Sequence, residues 1–316
     1  LNVHSMHEGQ VKRYYHKRMF LWSGLFLSLS LLSITGYQLY NALQRGVQLD
    51  ALPGSAIPVG SKVVIHNPDG PDLVPTGNST VPHFPRTMSL PGPDPNGPEV
   101  EYRLIGLGMR TVTFLHFNVY IIGFYIATQD IAEVQQRLIK GVNPLASTLV
   151  PDEKATLRQR LDDPSCESEA LIEEALFPAR TAVRITPVRD TDFHHLRDGF
   201  IRAITHRRDP EMTKDKDFGD HIRKFKAAFN RGRCNQGSEL LMQRDPRGKM
   251  TISFVDAKGS GKRLLLGEID EPRISRLMWL NYLHGKVASP PARESIMQGI
   301  MDVVERPVGT VAAQVV

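Results

Sequence analysis

The alternation of apolar and polar positions divides the chain near residue 99. Beyond it, 101–128 is dominated by Val, Ile, Phe, Tyr and Thr, residues that suit a pleated, half-buried surface, and predicts strands. Residues 130–140 carry Ile131, Val134 and Leu138 at helical spacing. Short helices are predicted over 151–161 and 167–176, the second announced by Pro164-Ser165. Residues 180–188 alternate as a strand. Residues 192–205 place Phe193, Leu196, Phe200, Ile201 and Ile204 on one helical face, and 217–230 do the same with Phe218, Ile222, Phe225 and Phe229. A hairpin follows, 239–243 and 250–255 about the turn Asp245-Pro246-Arg247-Gly248. A strand over 263–269 and helices over 272–283 and 290–304 complete the pattern, the last with Ser289 as cap and Pro290 in its first turn. Strands first, helices clustered later and hairpin turns between strands indicate an α+β domain with an antiparallel sheet. No internal repeat is visible.

Before residue 99 the pattern is different. Residues 19–40 are 22 residues without a charge, enough for about 33 Å of helix against a bilayer core of about 30 Å. Trp22, Tyr37 and Tyr40 lie near the ends, where amphipathic rings favour the interface. Lys12, Arg13, Lys17 and Arg18 precede this stretch and only Arg45 closely follows it. The asymmetry predicts a single transmembrane helix with the N-terminus on the inner side. Residues 51–98 hold 11 of the 22 prolines. Proline fixes φ and removes a donor, so this stretch is expected to be an extended spacer, with at most a short strand over 63–65. Asn78-Ser79-Thr80 is a sequon that matters only in a secretory compartment. The expected organisation is a basic segment over 1–18, a span over 19–40, a Pro/Gly-rich linker over 41–98, a folded domain over 99–307 and a tail over 308–316.

Composition narrows the function classes. A 316-residue chain with 41% hydrophobic and 23% charged residues is neither disordered nor a multi-pass membrane protein. The net charge is +5, and residues 1–50 contribute most of it; the remaining near-neutral body lacks the basic face of a nucleic-acid binder. Two cysteines, Cys166 and Cys234, exclude a disulfide framework and a zinc ribbon; one bridge between them is conceivable in an oxidising space.

Few motifs carry chemistry. Gly106-x-Gly108 opens a strand and lacks the third glycine and the helix of a dinucleotide loop. His194 and His195 are adjacent on a helix and point in different directions, which does not suit one metal. No metal site is predicted. The basic run 207–233 is interleaved with acids and reads as a solvated face. Arg110 stands out, because a charge between Gly-x-Gly and an apolar strand is costly unless it is paired internally or faces a ligand. The alternatives are a salt bridge and a guanidinium fork presented to an anionic or carbonyl-bearing molecule.

Leu104-Ile105-Gly106-Leu107-Gly108-Met109-Arg110, continuing through Val119-Tyr120-Ile121-Ile122-Gly123-Phe124-Tyr125, resembles the chalcone isomerase family. The resemblance resumes at Asp192-Phe193-His194-His195-Leu196 and over 262–268, and ends with Val287-Ala288-Ser289-Pro290-Pro291-Ala292-Arg293-Glu294-Ser295. With the charge-free span and proline-rich spacer, it looks like the fungal mitochondrial branch, the "altered inheritance of mitochondria" group. The resemblance implies an open-faced β-sandwich, a large antiparallel sheet covered by helices. It also implies the mitochondrial inner membrane, with the domain in the intermembrane space.

The plant enzymes of that family close a chalcone's phenolate onto its enone, and their polar set carries over only in part. The arginine survives as Arg110. A threonine position falls on Tyr120, the tyrosine on Phe193, the asparagine seven residues later on Phe200, and the late threonine on Asn281. Phe193 lacks the hydroxyl that organises a water or ketone oxygen. The resemblance therefore implies a binding domain for an acidic apolar molecule, haem or a fatty acid, with Arg110, Tyr120, Phe193, Phe200 and Asn281 at the ligand. The alternative is an intramolecular lyase or isomerase on another enone, with Arg110 catalytic; a third reading is a membrane-anchored scaffold. Haem is the one cofactor implied, with His116, His194 and His195 as candidate axial ligands.

Overall fold

A computed structural model describes residues 64–67, 70–92, 97–112 and 117–306. In chain order the strands are β1 (Leu73–Pro75), β2 (His83–Pro85), β3 (Thr87–Leu90), β4 (Val100–Val112) and β5 (Phe117–Ala127). Three helices follow: α1 (Ile131–Val142), α2 (Pro151–Asp162) and α3 (Cys166–Leu176). Next come β6 (Thr181–Pro187), β7 (Thr191–Asp192), α4 (Phe193–Arg207), α5 (Pro210–Lys214) and α6 (Lys216–Ala228). The chain continues through β8 (Arg233–Cys234), β9 (Glu239–Arg244), β10 (Met250–Val255) and β11 (Leu264–Ile269), and closes with α7 (Pro272–Leu283) and α8 (Pro290–Val304).

Among the described residues, seven strands form one antiparallel sheet in the order β11-β10-β9-β6-β5-β4-β3. The expected α+β class and antiparallel sheet are present. Period-two alternation sorts β5 between two cores: Tyr120, Ile122, Phe124 and Ile126 face the helices, while Ile121 and Tyr125 face away. The Ser165 and Ser289 hydroxyls accept from Ser168 N and Ala292 N, capping α3 and α8 as the sequence suggests. Helix α7 is buried along nearly its whole length, and Trp279 Nε1 donates to Thr181 Oγ1 of β6 at 2.8 Å.

The expected spacer over 41–98 is corrected in its second half. Ile65 bridges Leu73, β1 pairs with β2, and β3 is the edge strand beside β4. Phe84 and Leu90 are fully buried on the sheet face away from the helices. Phe84 packs with Leu107, Ile121 and Val188, the Arg184 guanidinium stacks 4.4 Å over its ring, and Tyr125 Oη donates to Pro85 O at 3.0 Å. Proline is tolerated because these are short edge pieces, where a missing N–H costs no central ladder bond. Asn78 Oδ1 accepts from Thr80 N and Val81 N, so it closes the turn between β1 and β2. The expected span over 19–40, the basic segment over 1–18 and the tail over 308–316 lie outside the described residues. Among the described residues no helix is long and apolar enough to cross a membrane.

The folded unit therefore starts before residue 99. Phe84→Ala is expected to cost about 3–5 kcal/mol, measured by urea unfolding. A cost below about 1 kcal/mol would return the hairpin to the spacer.

Candidate functional site

Strand β4 owes its path to its small residues. A side chain at Gly106 would strike the backbone of Ser295 and Ile296, one at Gly108 the backbone of Pro291 and Ala292, and one at Gly299 the Ile105 carbonyl. Helix α8 therefore lies directly on β4. Ser289 Oγ donates to Met109 O at 2.6 Å, and Leu107 N donates to Ser295 Oγ at 3.1 Å. Gly-x-Gly is a seat for a helix, and the first large side chain beyond it on that face is Arg110.

Arg110 is half-buried and stands opposite Tyr120 in the β4–β5 register. Its Nη1 donates to Tyr120 Oη at 3.4 Å, with the guanidinium 5.6 Å from the ring centre. Tyr120 Oη lies 2.8 Å from Tyr282 Oη on α7. Among the described residues no carboxylate pairs with Arg110, and its partners there are phenols. Burial pushes its pKa down, the Tyr120 and Tyr282 phenols more than offset this, and the net direction is upward. Burial, and after it the Tyr120 phenol, lifts the Tyr282 phenol well above its ordinary range, so it keeps its proton.

Donors are in surplus here. Two phenols sharing one O···O contact leave one O–H unspent, whichever of them donates. Arg110 has five N–H groups and commits one to Tyr120. Asn281, beside Tyr282, offsets part of that phenol's rise. Among the described residues its buried Nδ2 completes no hydrogen bond. The first turn of α8 carries no acid, so the local field stays positive. Unspent donors around a fixed cation suit an oxyanion, and a carboxylate offers the planar pair of acceptors that an arginine fork matches.

The structure brings together Arg110 and Tyr120, with Asn281 joined to them through Tyr282. Phe193 and Phe200 sit elsewhere on the same side of the sheet. Phe193 meets Phe254 edge-on with ring centres 4.9 Å apart, and Phe200 meets Phe229 at 5.5 Å. Both rings are buried among phenylalanines from α4, α6 and β10 and make no ring contact with Arg110. Tyr282 has no sequence signal of its own, because a tyrosine in an apolar helix carries no motif; its place next to Asn281 is the one feature that could have found it.

The candidate histidines do not gather here. His194 Nδ1 lies 2.8 Å from Asp192 Oδ1 at the surface, and His195 is exposed. His116 lies outside the described residues. His284 is buried with both ring nitrogens engaged, Nδ1 to Glu169 Oε2 at 3.2 Å and Nε2 to Asp163 O at 3.3 Å. Asp217, His221 and Glu271 approach one another on the α6–α7 side, but both Glu271 oxygens are held by Arg273. Cys166 and Cys234 are free, and burial pushes the Cys234 thiol up to about 12, so it stays protonated.

A family model described as chalcone isomerase like matches residues 100–297. Among curated relatives, "Altered inheritance of mitochondria protein 18, mitochondrial" of Debaryomyces hansenii is 30% identical over 273 residues, covering 85% of this chain and 84% of that protein. The protein of the same name in Kluyveromyces lactis is 31% identical over 208 residues, covering 64% of this chain and 65% of its own. The crystal structure of an Arabidopsis thaliana fatty-acid binding protein superposes with a TM-score of 0.51 at 16% identity, covering 73% of this chain and 98% of that one. At that identity the likeness is one of fold.

The phenol pair has a stability signature. Tyr120→Phe and Tyr282→Phe each strand a buried partner and are expected to cost about 1–3 kcal/mol in urea unfolding. The double variant strands neither hydroxyl on the other and should cost less than the sum. Additive costs would show that the two hydroxyls act separately.

Proposed function

The chain belongs to the chalcone isomerase-like family, and from that membership and the donors around Arg110 we propose that it binds, without transforming it, an apolar molecule that ends in a carboxylate. The observation that carries this reading is a half-buried guanidinium with no carboxylate partner among the described residues, backed by a phenol pair. A fatty acid is the best match in chemistry, and the fold shared with a protein described as fatty-acid binding supports it. In this reading Arg110, the Tyr120–Tyr282 pair and Asn281 hold the carboxylate. The alkyl chain is directed toward the apolar side of α4, where Phe193 and Phe200 lie.

Haem is the competing acid. Its propionates would meet Arg110 in the same way, and its iron would add redox or ligand-binding chemistry. Iron also needs an axial donor, and among the described histidines His284 has no free ring nitrogen while His194 and His195 make no contact with the Arg110 group. The donors around Arg110 fit an organic carboxylate better than an iron porphyrin. An isomerase would need a proton-handling group in place of Phe193. The Tyr282 hydroxyl is the one feature that favours this second reading, and a chalcone cyclisation assay decides it.

The curated relatives are named as mitochondrial proteins. We place this domain on the mitochondrial inner membrane, held by the 19–40 segment and facing the intermembrane space. The partners in this reading are that membrane and the acidic apolar ligand.

Two measurements test the reading. Lipid extraction from the purified chain should release fatty acid, and its absorption spectrum should lack a Soret band. A charged hydrogen bond is worth about 1.5–3 kcal/mol, so Arg110→Ala should weaken fatty-acid binding about 10- to 150-fold. Arg110→Lys should recover only part of it, because an ammonium lacks the planar fork. Unchanged binding by Arg110→Ala, or robust chalcone turnover, would overturn the proposal. For topology, protease added to mitochondria with opened outer membranes should digest the domain; a requirement for detergent would reverse the orientation.

A further inference from the structure

Three arginines meet at the end of β4 opposite Arg110, and two independent contacts bring them there. In the β3–β4 pairing Thr87 stands opposite Arg103, and Leu104 N donates to Arg86 O at 2.8 Å, which sets Arg86 beside Arg103 at the sheet edge. Helix α8 supplies the third. It descends along β4, with Ala292 on Gly108, Ile296 on Gly106 and Gly299 on Ile105. Four helical residues advance about 6 Å and two strand residues about 6.6 Å, so the two elements keep step. The same march sets residue 302 level with Arg103 and Arg306 about one turn further on, where its charge acts on both Arg103 and Arg86.

Among the described residues these cations are short of close counter-charge. Arg86 pairs with Asp72 at 3.4 Å, and that carboxylate also takes His66 Nδ1 at 3.1 Å. Among the described residues Arg103 and Arg306 have no carboxylate within 4 Å. Glu101 and Asp302 act on them from farther away; Glu101 is bonded to Thr128 Oγ1 at 2.6 Å and Asp302 accepts from Gln298 Nε2 at 3.2 Å. The C-terminus of α8 contributes about half a negative charge, and Gln135 Nε2 already takes the Arg306 carbonyl at 2.7 Å. Burial, then the charges of Arg306 and Arg86, push the Arg103 guanidinium down to about 10. Burial, then Arg86, lower Arg306 in the same way. All three side chains are partly exposed and open to a solute.

We propose that Arg86, Arg103 and Arg306 form a phosphate-binding site, separate from the Arg110 donors. Three forks converging from an edge strand, its neighbour and a helix end suit an anion with several oxygens and up to two charges better than a carboxylate with two oxygens and one. The same chemistry is offered by a soluble phosphate compound and by a phospholipid headgroup.

Thermal unfolding of the full chain in inorganic phosphate, against chloride at equal ionic strength, tests the site. Phosphate is expected to raise the midpoint by about 2–6 °C. Arg103→Gln should abolish that shift and raise the midpoint in chloride, because it relieves the repulsion. Arg306→Gln, at the helix end, provides the same test if Arg103→Gln does not fold. Arg110→Ala should keep the phosphate shift, so failure here is distinguishable from failure of the carboxylate reading. Dihexanoyl phosphatidic acid below its micelle concentration separates the sources: a larger shift than phosphate at equal concentration identifies a headgroup site, an equal shift a soluble phosphate. No shift beyond chloride, or a shift retained in both glutamine variants, overturns the proposal.

Discussion

The close approach of α8 to β4 is the constraint on which the rest of the molecule depends. A helix normally rides on a sheet with a layer of side chains between them. Here Gly106, Gly108 and Gly299 remove that layer, and Ser289 and Ser295 fasten backbone to hydroxyl at Met109 and Leu107. A strand stripped of side chains over its middle leaves its large polar residues at the two ends of the contact. Arg110 lies beyond the start of α8 and Arg103 near its end. One packing decision thus produces both cationic clusters.

The two ends differ in what surrounds them. At Arg110 the neighbours are phenols and an amide from α7, a buried helix that cannot retreat from the sheet because Trp279 ties it to Thr181. The phenols are buried, the guanidinium is half-buried and donors are in surplus, conditions that strengthen a charge-assisted hydrogen bond. At Arg103 the neighbours are other guanidiniums on an edge strand and a helix end, closer to water and to larger solutes. The first environment suits a carboxylate on an apolar body, the second a phosphate reached from solvent.

The sheet also has a back face, and it is covered by chain that looks unfit for a fold. Phe84 and Leu90 fill it from a segment rich in proline. Proline excludes central strands but not edge strands and crossing hairpins, and a single Phe among prolines has no periodicity to read. The glycine pair had a comparable ambiguity: two glycines in a strand signify a close approach, but whether of ligand or helix depends on what arrives from 180 residues away.

The sequence by itself determined the α+β class, nearly every helix and strand after residue 99, the Ser165 and Ser289 caps, and Arg110 as the polar residue to follow. These features are local, set by side-chain period, capping chemistry and the cost of a charge among apolar residues. Only the tertiary structure decided what Arg110 pairs with, because Tyr120 reaches it through sheet register and Tyr282 through a helix 162 positions further on than Tyr120. It separated Phe193 and Phe200, which are buried in a ring cluster that both share with Phe229, from the polar group they accompany in the family pattern. It also gathered Arg86, Arg103 and Arg306, since convergence of like charges is imposed by packing elsewhere and leaves no trace in the local pattern of any of the three segments.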